Sequence, residues 1–225
     1  MSKPDDRTGV TSPPSGTGHV PGLGEAFRIN LNTGQGVYSY KLPLPEGVAG
    51  CQPQVTLEYG HGSGLGVFGL GWKLPVRSIA RRLDLGVPGA GAAETFLDGS
   101  AELVEFPDGT YAPLVDTAFT RYTRVDEGWR VGDRNGVVHD LGLSAAARVG
   151  DPADGGRVQE YLLERSTDPN GQEIRYRYRH DQGWSYIEQI LYASYAVRFE
   201  YEVRPDARRD GRAGWVRTRA LRCRQ

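Results

Sequence analysis

Only two of the 225 residues are cysteine, Cys51 and Cys223. They stand far apart without C-x-x-C or Cys/His spacing, so the sequence offers no metal site; a disulfide between them is neither shown nor excluded. The four histidines, His19, His61, His139 and His180, fall in four separate segments, and no Ser or Cys sits in a G-x-S-x-G elbow. No catalytic, cofactor-binding or metal-binding residue is therefore assigned, and no cofactor is expected. No apolar run is long enough to cross a bilayer, which excludes membrane insertion by an apolar helix. The polar start, Met1-Ser-Lys-Pro-Asp-Asp-Arg7, leads into no apolar stretch, so a Sec signal is not visible and any export is expected by a non-Sec route. Charge of one sign is also missing. Lys+Arg 27 against Asp+Glu 28 gives a net charge of −1, which argues against a dedicated nucleic-acid or polybasic membrane binder. Lysine itself is nearly absent, at Lys3, Lys41 and Lys73, and the arginine bias is read as compositional background.

What is abundant is turn chemistry. The chain holds 31 glycines, about twice the usual share, and 14 prolines with no collagen period. Helical periodicity is absent, and short alternating stretches separated by Gly, Pro, Asn and Asp predict an all-β fold of many short antiparallel strands. Residues 1–24 are too poor in apolar side chains to offset ordering entropy and read as a flexible N-terminal arm. Strands are expected at 37–42, 54–59, 73–83, 94–97, 102–106 and 110–115, the last three joined as a meander by Asp98-Gly99 and Asp108-Gly109. Two hairpins, 129–131 with 137–141 and 161–165 with 173–178, turn on Asp133-Arg-Asn-Gly136 and Asp168-Pro-Asn-Gly171. A further pair, 186–192 with 197–203, and a last strand at 215–223 complete the prediction. Segments 144–156 and 204–214 read as exposed loops.

The run Gly60-His-Gly-Ser-Gly-Leu-Gly-Val-Phe-Gly-Leu-Gly-Trp72 reads as an ordered structural loop, with Gly64, Gly66, Gly69 and Gly71 permitting tight backbone and Phe68 and Trp72 anchoring it. Gly64-x-Gly66-x-x-Gly69 matches the dinucleotide fingerprint formally, but no helix follows to meet a pyrophosphate. Glu200-Tyr-Glu202 with upstream Ser166-Thr167 outlines an ADP-ribosyltransferase site. Against that, Val197, Phe199, Tyr201 and Val203 alternate with Arg198, Glu200, Glu202 and Arg204, as the two faces of one half-buried strand do. Arg175, Arg177 and Arg179 beside aromatic strands mimic a nucleic-acid surface, which balancing carboxylates weaken. A glycan- or host-surface-binding module using Trp184 and Trp215 is the third alternative.

Gly22-Leu-Gly-Glu-Ala-Phe27, Asn32-Thr-Gly-Gln-Gly-Val37, Pro53-Gln-Val-Thr-Leu-Glu-Tyr59 and Gly66-Val-Phe-Gly-Leu-Gly-Trp72, continuing to Arg81, resemble the N-terminal domain shared by the Salmonella virulence plasmid B protein and the B component of Tc insecticidal toxin complexes. The resemblance runs from about residue 18 onward, so residues 25–225 are expected to form that β domain. Asn170-Gly-Gln-Glu-Ile-Arg-Tyr-Arg-Tyr-Arg-His-Asp181 and Tyr186-Ile-Glu-Gln-Ile190 resemble a YD/Rhs-type unit, placing Rhs-like hairpins at 165–203. In Tc toxins the B component, with its C partner, builds a β-shell that encloses the toxic segment, and a separate propeller docks on the A-component channel. In the virulence protein the same module precedes an actin-modifying ADP-ribosyltransferase domain, which is not expected within these residues. The resemblance thus implies a non-catalytic scaffold or carrier forming a wrapped sheet or part of an Rhs-like shell. Its implied partners are the rest of the shell, a downstream toxin domain, or A- and C-type components. It also implies a protein secreted or injected after residence in the bacterial cytoplasm.

Overall fold

A computed structural model describes residues 28–30, 35–84, 94–115 and 118–224; the expected arm at 1–24 lies outside them, as do the Gly22 to Phe27 motif and residues 32–34 of the next. The described residues contain no α-helix, only single 3-10 turns at Val48–Gly50 and Ala145–Ala147. Strands β1 (Arg28–Asn30), β2 (Gln35–Lys41), β3 (Thr56–Gly60) and β4 (Trp72–Lys73) form one antiparallel sheet in that order. A meander follows: β5 (Ser78–Arg81), β6 (Phe96–Asp98), β7 (Ala101–Glu105), β8 (Thr110–Pro113), β9 (Arg121–Val125), β10 (Gly128–Gly132) and β11 (Val138–Leu141), each antiparallel to the next. Next come β12 (Arg148–Asp151), the long β13 (Asp154–Thr167), β14 (Glu173–Asp181), β15 (Trp184–Tyr192) and β16 (Tyr195–Arg198). A separate hairpin joins β17 (Tyr201–Asp210) to β18 (Arg217–Cys223).

β13 closes the meander into a barrel. Its residues 160–162 pair with β5 on one edge, while 163 and 165–167 pair with β11 on the other, so eight strands form a ring. An eight-stranded ring has an interior just wide enough for side chains to fill. Ile79, Phe96, Leu103, Tyr122, Trp129, Val131, Leu141, Val158, Tyr161 and Leu163 fill it as one buried cluster. Trp129 is 0% exposed, with Phe96 and Tyr111 each edge-on at 5.0 Å. Arg124 shares the face of Tyr122 two residues on, so its guanidinium caps the barrel mouth, 4.6 Å from the Trp129 ring centre.

The seam carries an ionic clasp. Asp140 on β11 is 3% exposed; Arg130 Nε on β10 donates to its Oδ1 at 2.8 Å, and Arg165 on β13 donates to its Oδ2 through Nε at 3.0 Å and Nη2 at 2.5 Å. Burial alone would raise this carboxyl's pKa, but the two guanidiniums hold it below the usual carboxylate value. Beyond the barrel, β14 and β15 carry Ile174, Tyr178, Ile187, Ile190 and Tyr192 into a second core, which Val55 and Ala147 complete and the partly buried Leu42, Leu44, Phe68 and Leu74 flank.

The turn residues act as their chemistry predicts. Asp133 Oδ1 accepts the N–H groups of Asn135 and Val137 at 2.8 and 3.0 Å, and Asp168 Oδ1 accepts those of Asn170 and Gln172 at 2.9 and 2.8 Å. Four expectations need correction. The strand expected at 73–83 is split into β4 and β5, with Pro75 between them. Segment 144–156 is no exposed loop: it holds a 3-10 turn, β12 and the start of β13, and Ala147, Val149 and Gly150 are buried. Segment 204–214 is mostly the outer part of β17, whose pairing slips at a bulge between Val203 and Arg208. The strand expected at 197–203 breaks at 199–200 into β16 and β17, which belong to different sheets, and the alternation fails with it: Val203 is 76% exposed and Arg204 only 4%.

Trp129→Ala is expected to cost about 3–5 kcal/mol in urea unfolding, because the ring interior cannot collapse around the void. For Asp140 the folded-state pKa lies below the unfolded value, so its contribution is present above about pH 4 and is lost as pH falls through the folded pKa. Asp140→Asn should lower stability by about 2 kcal/mol at pH 7 and flatten the acid limb of a urea-midpoint-against-pH curve.

Candidate functional site

Between β3 and β4 the glycine-rich chain folds back on itself. Gly71 N donates to Gly64 O at 2.7 Å, Gly66 N to Gly69 O at 3.0 Å, and Gly60 N to Gly71 O at 3.0 Å. Two glycines are required by geometry. Gly71 has φ +79°, and a Cβ there would lie 2.5 Å from Cε2 of Tyr59. A Cβ on Gly66 would lie 2.4 Å from the Trp72 carbonyl oxygen. The bulky residues then hold the loop from both sides: Trp72 contacts the rings of Tyr38 and Tyr59 at 5.8 and 5.5 Å, and Phe68 stands edge-on to Phe199 at 5.9 Å. Gly64, Gly66, Phe68, Gly69, Gly71 and Trp72 thus stand together in one folded loop.

The β17–β18 hairpin takes up the loop's outward carbonyls. Arg219 Nη1 donates to Leu65 O at 3.0 Å, Arg204 Nη1 to Gly66 O at 3.3 Å, and Cys223 N to Val67 O at 2.8 Å. The loop therefore joins the first sheet to the last hairpin. Two adjoining cavities flank it. One, of about 410 Å³, is lined by Leu65, Phe68, Glu202, Arg204 and Arg222; the other, of about 440 Å³, by Tyr38, Tyr40, Leu57, Phe68 and Trp72, and Cys223 borders both. Burial pushes the Cys223 thiol up, so it stays protonated at neutral pH and is a poor nucleophile.

No phosphate cradle is present at the glycine fingerprint, because Gly69 leads into β4 instead of a helix. The two halves of the transferase outline are not brought together. Glu202 Oε1 accepts Arg222 Nε at 2.7 Å in the terminal hairpin, whereas Ser166 sits in the barrel ladder opposite His139, its Oγ 2.8 Å from Nδ1. Burial, and then Arg77, lowers the His139 pKa, which keeps the ring neutral. Among the described residues no group of three or more His, Cys, Asp or Glu could hold a metal, and both cysteines are free. Trp184 and Trp215 are half-buried, and the guanidiniums of Arg217 and Arg219 stack on Trp184 at 4.3 and 4.1 Å, so the Trp184 ring is not an open aromatic platform.

Sequence reasoning missed Arg204 and Arg219, the side chains that seat the loop. They lie 138 and 154 residues from the carbonyls they reach, and a single strand's pattern carries no signal at that range. Gly71→Val is expected to cost about 3 kcal/mol or more, read as a lowered unfolding midpoint or loss of soluble protein. Gly50→Ala, at the same φ of +79° with nothing within 4 Å of the new Cβ, should cost only about 1 kcal/mol.

Residues 32–200 match the family model described as Salmonella virulence plasmid 65kDa B protein. The mono(ADP-ribosyl)transferase SpvB of Salmonella typhimurium strain 14028s is 32% identical over 180 residues, covering 66% of this chain and 30% of that protein. Its counterpart in Salmonella choleraesuis strain SC-B67 is 31% identical over 206 residues, covering 77% and 34%. The chain thus spans about a third of the length of these relatives. In fold it is similar to TcdB2-TccC3, with a TM-score of 0.79 at 24% identity over 100% of this chain and 14% of that one. The N-terminal domain of effector protein SpvB from Salmonella typhimurium strain LT2 superposes with a TM-score of 0.68 at 24% identity, over 82% and 85%. With well over half its residues under that family model, the chain belongs to the Salmonella virulence plasmid 65kDa B protein (SpvB) family.

Proposed function

We propose that this chain is a non-catalytic structural module of a bacterial toxin, a β domain over residues 25–225 that holds neighbouring parts of a toxin in place. The observation that carries this reading is the glycine loop: its anchoring aromatics and outward carbonyls are engaged by the protein's own sheets, as in a joint between layers. Three further points support it. The barrel interior is occupied by side chains. The acidic pair of the transferase outline is parted from its Ser-Thr, and Glu202 is neutralised by Arg222. The fold likeness extends to a Tc holotoxin pore of Photorhabdus luminescens, at a TM-score of 0.78 and 23% identity over 95% of this chain. The transferase name of the relatives belongs to proteins of which this chain spans about a third.

On this reading the module's partners are the remainder of a shell, a downstream toxin domain, or A- and C-type components. It acts after leaving the bacterial cytoplasm, by secretion or injection. Incubation with labelled NAD and actin tests it. Parent and Glu202→Ala are both expected to leave actin unlabelled, and a label that depends on Glu202 overturns the reading.

A further inference from the structure

The large sheet ends at β16, which pairs with β15 alone; among the described residues no strand covers its outer edge. Phe199 N donates to Glu188 O at 3.0 Å, so antiparallel alternation turns the backbone groups of Val197 and Tyr195 toward β15. The N–H and C=O groups of Ala196 and Arg198 consequently face outward, and both residues are exposed.

The side chains along this border are sorted by face. Val197 and Phe199 pack against the second core, whereas Arg198 lies in one cross-strand row with Gln189 and Arg177. In the next row Arg165 and Arg175 stand directly opposite each other, a like-charge pair that Asp140 and Glu173 offset. Arg177 and Arg179 on β14 and Arg198 on β16 are exposed and, among the described residues, have no carboxylate within ion-pair distance. An uncompensated cationic face beside an unpaired strand edge is complementary to one kind of occupant.

We propose that the outer edge of β16 receives an extended acidic strand of a partner protein, a segment alternating carboxylates with apolar residues. Its backbone pairs with Ala196 and Arg198, its carboxylates meet the row of Arg198 and Arg177, and its apolar residues continue the surface of Val197. Directional main-chain hydrogen bonding separates this occupant from an anionic membrane or a nucleic acid, which would engage the arginines and leave the edge unused. The inference goes beyond the scaffold reading: Phe199 at the end of this border touches Phe68 of the glycine loop, but the outward groups of Ala196 and Arg198 take no part in holding that loop.

The probe is a labelled, end-blocked octapeptide of four Glu-Val repeats, titrated by fluorescence anisotropy at pH 7.5 and low ionic strength. Ala196→Pro removes an outward N–H without touching the β15 ladder, since proline is tolerated on such an edge. Binding to the parent is expected to weaken at least about tenfold in Ala196→Pro and in Arg177→Glu/Arg198→Glu, and to fall with added salt. The double charge reversal leaves every ladder bond in place and decides the question if the proline variant fails to fold. Absence of binding by the parent, or equal binding by folded Ala196→Pro, overturns the proposal. So does tighter binding of heparin or phosphatidylserine vesicles than of the peptide.

Discussion

One strand is used on both edges along most of its length, and the architecture depends on it. β13 pairs with β12 and β11 along one side and with β5 and β14 along the other. Because β5 and β11 are the two ends of a meander, the same strand that closes the barrel also begins the second sheet. Closure removes two free edges and gives Trp129, Tyr161 and Phe96 a common interior. A change at β13 is therefore felt in both cores, which share the partly buried Val76 and Tyr176.

Polar groups do similar joining work around this frame. Asp140 links β10, β11 and β13 through two arginines, and Asp98 on β6 accepts both Arg77 Nη2 at 2.7 Å and the Tyr122 hydroxyl at 2.8 Å. Arg204 and Arg219 bridge the last hairpin to a loop early in the chain. Arginine suits these places because its planar fork donates in several directions and stacks on rings, as Arg124 does over Trp129 and Arg219 over Trp184. The compositional bias toward arginine thus has a structural use that composition alone did not disclose.

Local chemistry was legible in the sequence; long-range geometry was not. The D-x-N-G hairpins, the Asp-Gly meander and the ordered glycine loop are written in residues a few positions apart, and the strands lie close to where alternation places them. Barrel closure rests on pairs such as Ser78 with Glu160, 82 residues apart, which no local pattern encodes. The alternation from Val197 to Arg204 misled because a strand that changes sheets also changes which face is wet. Segment 144–156 looked like loop for its Gly, Pro and Asp content. Gly150 is there because a side chain would meet the Arg157 carbonyl oxygen at 2.4 Å, which is a packing demand and not a turn signal.

The position of β13 in the chain sets the order of assembly. Hairpins of the meander need only neighbours in sequence and form on the microsecond scale, but the ring waits for residues 160–167, and such non-local pairing is slow. On a ribosome the seven preceding strands of the ring remain an open sheet with two bare borders until that one segment arrives. The interval before its arrival is when the polypeptide is most exposed to mispairing with another copy of itself.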